Sequence, residues 1–274
     1  MRILTLIILL AAGSCRACYG SDGQSVGCER KEIEPNSVDA VLQRLKRTSE
    51  QLLSYQGRVE YLFSQPVLES QTLRKGTMYY AKTGNKSKLR INFETLKQDD
   101  EKEQKYAEQF IFDGIWLTHL DYQIKSAERR QLAEPNEPVD AFELAGRSLP
   151  IVGFAKVEEL EKNFEITFVD PNTDSREPSQ PAQQTAGELV HLHLKLRPDL
   201  AHKSDYTSID FWVDKKLNLP AKVVALSTEE DVYEITLLKP MVNKEIDPKV
   251  FEFQIPKGFG EPRVIPLQKE SSEN

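Results

Sequence analysis

The sequence predicts a mainly β chain (α+β), folded as one long curved antiparallel sheet with two helical segments over one face. Three observations lead there. Short segments alternate apolar and polar residues with a period of two along much of the chain. The connections between them are short, which favours antiparallel pairing. Only two stretches carry a helical period.

Residues 1–20 read as an export signal. Met1-Arg2 supplies the positive start, Ile3 to Ala12 an apolar run, and small residues follow. The run is too short to cross a bilayer, which takes about 20 residues. Ala12-Gly13-Ser14-Cys15 resembles a bacterial lipobox, so Cys15 is a candidate for lipidation and membrane attachment. It departs from that pattern at Ala12, where leucine is usual. Ordinary cleavage after Ala17 or Gly20 is the other reading. All three cysteines (Cys15, Cys18 and Cys28) precede the folded part, which excludes a disulfide-stapled core. Residues 21–36 form a polar linker, and 37–262 form one domain.

Ser37 should cap a helix, with Asp39 in its first turn where the helix dipole favours a carboxylate. Val38, Val41, Leu42, Leu45 and Leu52 form one apolar stripe. The period then changes to two. Val59/Tyr61/Phe63, Leu89/Ile91/Phe93, Tyr233/Ile235/Leu237 and Phe251/Phe253/Ile255 each alternate with polar neighbours. With segments at 76–82, 109–112, 115–121, 164–169, 188–197, 206–214 and 221–227, this makes about eleven strands. Asp113-Gly114 reads as a two-residue hairpin that would put Phe112 and Ile115 on one face. Residues 214–218 connect two more strands, and Pro220 can begin the second. A second helical stretch starts after Asp140 at Ala141–Ala145, is interrupted by Pro150 and resumes over Lys156–Lys162. Gln98–Lys105 and Asp170–Gly187 read as loops, and 263–274 as a disordered tail.

On this reading the concave face is lined by Phe63, Met78, Tyr80, Ile91, Phe93, Phe110, Phe112, Ile115, Leu117, Phe211, Val213 and Tyr233. Sequence does not distinguish a packed core from an open hollow there. The net charge of −7, with Lys and Arg scattered among acids, argues against a nucleic-acid partner. His191 and His193 share one side of a strand at a spacing that can chelate zinc. Val190, Leu192, Leu194 and Leu196 occupy the other side, so a solvated face is the better reading, with no metal. The sequence shows no phosphate loop, no Gly-x-Ser-x-Gly elbow and no thiol in the folded part, so no catalytic residue, cofactor or enzymatic activity is assigned.

Several segments, in their order, resemble a known family: Gly57-Arg58-Val59-Glu60-Tyr61, Gly76-Thr77-Met78-Tyr79-Tyr80-Ala81-Lys82, Leu89-Arg90-Ile91-Asn92-Phe93 and Phe112-Asp113-Gly114-Ile115-Trp116. Ile209–Asp214, Leu219-Pro220-Ala221 and the closing run Asp247–Phe259 complete the series. The chain from 37 to 262 resembles the LolA superfamily of periplasmic lipoprotein carriers, with its relatives LolB and the N-terminal domain of RseB. The resemblance implies an unclosed β-barrel with a hydrophobic cavity for lipid or lipoprotein acyl chains. It also implies a lid, here Val38, Val41, Leu42, Leu45 and Leu52, and a place in the periplasm or on the periplasmic face of a Gram-negative-type membrane. An acyl chain gains about 0.8 kcal/mol per buried CH₂, so apolar walls suffice. The carriers have a Lys-Arg-Pro turn after the second strand; Lys82-Thr83-Gly84 stands here, without the latching arginine. An anchor at Cys15 would suit LolB better than a soluble shuttle. The second reading is an RseB-like sensor that binds lipid or misfolded protein and regulates a partner, and a monomer is favoured in either case.

Overall fold

The computed structural model describes residues 37–84, 86–141, 157–169, 189–200 and 205–267. The expected signal, Cys15, the linker, most of the first part of the second helical stretch and the Pro-rich loop lie outside these residues.

Ser37 opens α1 (Val38–Glu50), its Oγ accepting from the Ala40 N–H at 3.2 Å. Eleven strands of the open sheet follow, with α2 (Val157–Asn163) among them. They are β1 (Ser54–Gln65), β2 (Ser70–Thr83), β3 (Lys86–Gln98), β4 (Gln104–Phe112), β5 (Trp116–Asp121), β6 (Ser126–Gln131), β7 (Phe164–Phe168), β8 (Leu189–Leu196), β9 (Tyr206–Asp214), β10 (Pro220–Ser227) and β11 (Val232–Val242); β12 (Arg263–Ile265) completes the twelve. The order is β12-β6-β5-β4-β3-β2-β1-β11-β10-β9-β8-β7. The outermost strands, β7 and β12, do not pair with each other, so the sheet is not closed.

The first strand is central. It pairs with β2 on one side and, over a long sequence separation, with β11 on the other. Register then decides which side chains share a face. Val59, Tyr61 and Phe63 lie opposite Leu237, Ile235 and Tyr233, so all six turn to the inner face. There one apolar cluster joins Leu52, Tyr55, Met78, Tyr80, Ile91, Phe93 and Phe112. A second joins α1 and α2 to β7–β10 through Val41, Leu42, Leu45, Leu160, Phe164, Leu194 and Phe211. Ile235 of the first cluster pairs with Val223 of the second, making the inner face continuous.

Several expectations are corrected. Phe251–Ile255 is not a strand: Asp247 Oδ1 accepts from Lys249 N at 2.9 Å, Pro248 starts a 3-10 turn, and the chain runs on without a ladder. Its alternating apolar residues serve a different purpose. The segment crosses the outer face of the sheet, where Arg90 Nη1 donates to the carbonyls of Val250 (2.8 Å) and Glu252 (3.3 Å). The Arg129 guanidinium lies 4.9 Å from the Trp116 ring and 5.5 Å from the Phe253 ring, and Tyr122 meets Phe259 edge-on at 5.1 Å. This strap leads into β12, placed in the tail by sequence, which pairs with β6 in parallel. The sheet is therefore antiparallel except for that one pair.

The β6 strand escapes sequence reasoning because Ser126-Ala127-Glu128-Arg129-Arg130-Gln131 buries only Ala127. The loop at 98–105 shrinks to 99–103, since Gln98, Gln104 and Lys105 belong to strands. The Asp113-Gly114 turn is also longer than two residues. Asp113 N donates to Trp116 O, Asp113 Oδ1 accepts from the N–H groups of Ile115 and Trp116, and Gly114 takes φ +100°. Phe112 thus opposes Leu117, while Ile115 sits half-buried in the turn. The 214–218 connection and the strand start at Pro220 are as expected, with Asp214 Oδ1 accepting from the N–H groups of Lys216 and Leu217.

Candidate ligand-binding face

Burial divides the expected lining into a closed part and an accessible part. Met78, Tyr80, Ile91, Phe93 and Phe112 are buried in the first cluster, and Phe211 and Val213 in the second, beneath α1. Phe110 and Leu117 are half-buried against the first cluster, and Tyr233 against the second. Phe63 is half-buried, its ring 5.0 Å from Tyr233. The expected lid also divides. Val38, Val41, Leu42 and Leu45 pack on the second cluster, whereas Leu52 lies beyond the helix in the first.

The accessible inner face is therefore one end of the sheet, and it includes residues that sequence reasoning missed. Tyr61, Tyr106 and Tyr206 extend the aromatic surface, with Tyr206 5.9 Å from Tyr233 and Tyr61 6.3 Å from Phe93. Among these rings sits Glu108, 8% exposed. Its Oε2 is 3.4 Å from Arg74 Nε, and its Oε1 is 2.8 Å from His119 Nε2. The Arg74 guanidinium is 5.9 Å from the Tyr61 ring and 5.8 Å from the Tyr106 ring; His119 stacks on Phe110 at 4.5 Å. A buried carboxylate is tolerable only when paired in this way. The signal was present in the parity of Tyr106-x-Glu108-x-Phe110, and hydrophobicity alone hid it. Two bulges preserve the arrangement. Glu94 is extra against β2, where the register steps from Gly76↔Phe93 to Lys75↔Thr95 and brings Leu96 opposite Arg74 on the inner side. The step from Phe93↔Glu108 to Thr95↔Lys105 places an extra residue on β4.

Burial pushes the Tyr61 hydroxyl up to about 12, and burial likewise raises Tyr55. Tyr80 is raised by burial, then by the charge of Asp140, whose Oδ2 lies 3.3 Å from its hydroxyl. An unfolded phenol titrates near 10. A folded value above the unfolded one means stability that is present below about pH 10 and lost as pH rises toward 12. Alkaline unfolding should therefore begin near pH 10, and Tyr61→Phe should flatten it; ultraviolet difference absorbance against circular dichroism checks this.

The outer face carries the two expected histidines, and they are less solvated than the sequence suggests. His191 Nε2 and His193 Nδ1 both lie 2.9 Å from Asp210 Oδ1, and Trp212 stacks on His191 at 4.1 Å. Burial pushes the Asp210 carboxyl up, but hydrogen bonds from both imidazoles outweigh it and hold it below the usual range. Beside them Lys222, 2% exposed, pairs with Glu234 at 2.8 Å. Among the described residues no group of three or more His, Cys, Asp or Glu could hold a metal ion. No helix among them is long and apolar enough to cross a membrane.

No family model matches the chain, and no curated protein matches it significantly. Among solved structures it is similar to an uncharacterized conserved protein from Thermus thermophilus, at 10% identity and a TM-score of 0.44, over 84% of this chain and 98% of the other. It is similar to MucB at 13% identity and a TM-score of 0.45, over 80% of this chain and 64% of that one. It is also similar to a LolA-superfamily protein from Nitrosomonas europaea at 11% identity and a TM-score of 0.33, over 78% of this chain and 97% of that one. The sheet itself is unclosed and carries helices on its inner face.

Proposed function

We propose that this chain is a non-enzymatic protein of the bacterial envelope that holds the acyl chains of a lipid or lipoprotein. The observation that supports this reading is the band of half-buried rings at one end of the inner face: Tyr61, Phe63, Tyr106, Phe110, Tyr206 and Tyr233. They adjoin residues already sealed from water, so a hydrocarbon chain entering there extends an existing core and gains about 25 cal/mol per Å² of apolar surface covered. The carboxylate within the band is paired with Arg74 and His119, so an apolar ligand meets no uncompensated charge.

Native mass spectrometry of the purified mature protein tests the reading. A retained acyl lipid is the expected result, displaced by long-chain fatty acid. Phe63→Asp, at a half-buried position, should weaken retention by about tenfold or more while leaving the circular dichroism unchanged. A bare polypeptide mass, together with no fatty-acid binding in a titration, would remove the proposal.

A further inference from the structure

Three turns stand side by side at one end of the sheet. The β1–β2 turn, 66–69, is the central one. Gln65 Nε2 donates to Asp231 Oδ1 at 3.4 Å, which ties it to the β10–β11 turn. Gln71 N donates to Asp99 Oδ1 at 2.6 Å, which ties it to the β3–β4 turn. The central turn presents two aliphatic side chains to water, Val67 at 73% and Leu68 at 68% exposure. The flanking turns present exposed carboxylates, Glu229 and Glu230 on one side and Asp100 and Glu101 on the other. None of these four pairs with a cation among the described residues.

From this juxtaposition we infer a docking surface for a cationic polypeptide segment with aliphatic residues at its middle and Lys or Arg toward both ends. Two exposed aliphatics between two turns that each carry an excess of carboxylates, the β3–β4 turn also holding the exposed Lys102, are unfavourable for a free surface. A partner that brings cations to both clusters relieves the repulsion and covers Val67 and Leu68 in the same step. Nucleic acid and anionic bilayers are repelled by these carboxylates. A neutral lipid surface gains nothing from them. Neighbouring turns are two strand spacings apart, about 10 Å, so the two acidic turns stand about 20 Å apart. An extended segment of about six or seven residues spans that distance. The inference does not require an acyl chain on the inner face, and the two proposals fail independently.

The test uses the full chain and a labelled peptide of about seven residues, two lysines at each end and three aliphatic residues between, followed by fluorescence anisotropy. Its counterpart with glutamates is the control. The lysine peptide should bind at least about tenfold more tightly than the glutamate peptide, and the difference should shrink steeply with added salt. The combined variant Asp100→Lys, Glu101→Lys, Glu229→Lys, Glu230→Lys should abolish the preference, and Val67→Ser with Leu68→Ser should weaken binding of the lysine peptide. Lys215→Glu with Lys216→Glu, in the β9–β10 turn, should leave it unchanged. Because all these positions are exposed, folding is not at stake. Equal binding of the two peptides, no binding of either, or binding indifferent to the turn variants would overturn the inference. Attachment to zwitterionic vesicles that depends on Val67 and Leu68 but not on the carboxylates would overturn it in favour of a lipid surface.

Discussion

Replacing Gly76 by valine is expected to leave no folded protein. A Cβ at this position would stand 1.9 Å from the backbone oxygen of Asn92 and 2.8 Å from the Phe93 Cα. Neither is the end of a flexible side chain, so β2 and β3 would have to separate. The crowding has a cause in the register: the β2–β3 ladder shifts between Lys75 and Gly76, where Phe93 lies opposite Gly76 and Glu94 is extra. Separation there would disturb the Arg74–Glu108 pair and the Phe93 side chain together. The cost should exceed about 4 kcal/mol, beyond what a marginally stable domain tolerates. Soluble yield and far-ultraviolet circular dichroism check the expectation. Gly260→Ala, where an added Cβ meets nothing within 4 Å, should fold normally.

Leu45→Ala should cost about 2–5 kcal/mol, measured by denaturant unfolding. Leu45 is 1% exposed, in the same apolar cluster as Leu160 of α2, Phe164 of β7 and Leu192 and Leu194 of β8. In this structure the helix expected to act as a lid is part of the core of one half of the sheet. A helix that opened freely would contribute little to stability, and its truncation would be nearly neutral. The measured cost therefore reports how firmly α1 is closed, and native-state hydrogen exchange along Val38–Glu50 would show whether it opens below the global unfolding free energy.

Much of this was legible in the residues. The N-cap at Ser37, the stripe of α1 and the parity of β1, β3 and β11 are local periodicities, and local periodicity survives in a sequence. Glu108 is legible in the same parity, although a carboxylate is normally solvated. The strap at 248–259 misleads for the opposite reason. Its alternation mimics a strand, and nothing local reveals that Phe253 meets Arg129 across the outer face of the sheet. The β6 strand has almost no apolar signal, because it is held by backbone hydrogen bonds between β5 and β12 more than by a buried face.

The chain's own residues determined the class of fold, the helix that covers it and the apolar inner set, because these depend on side-chain period and on caps within a few positions. Tertiary structure decided the rest. The joining of β1 to β11, the bulges that hold Glu108 inward and the gathering of three turns at one end all depend on pairings between segments far apart in the chain. Hydrogen bonds between backbones are nearly blind to residue type, so such pairings are selected by the fit of whole faces and leave little trace in any one segment.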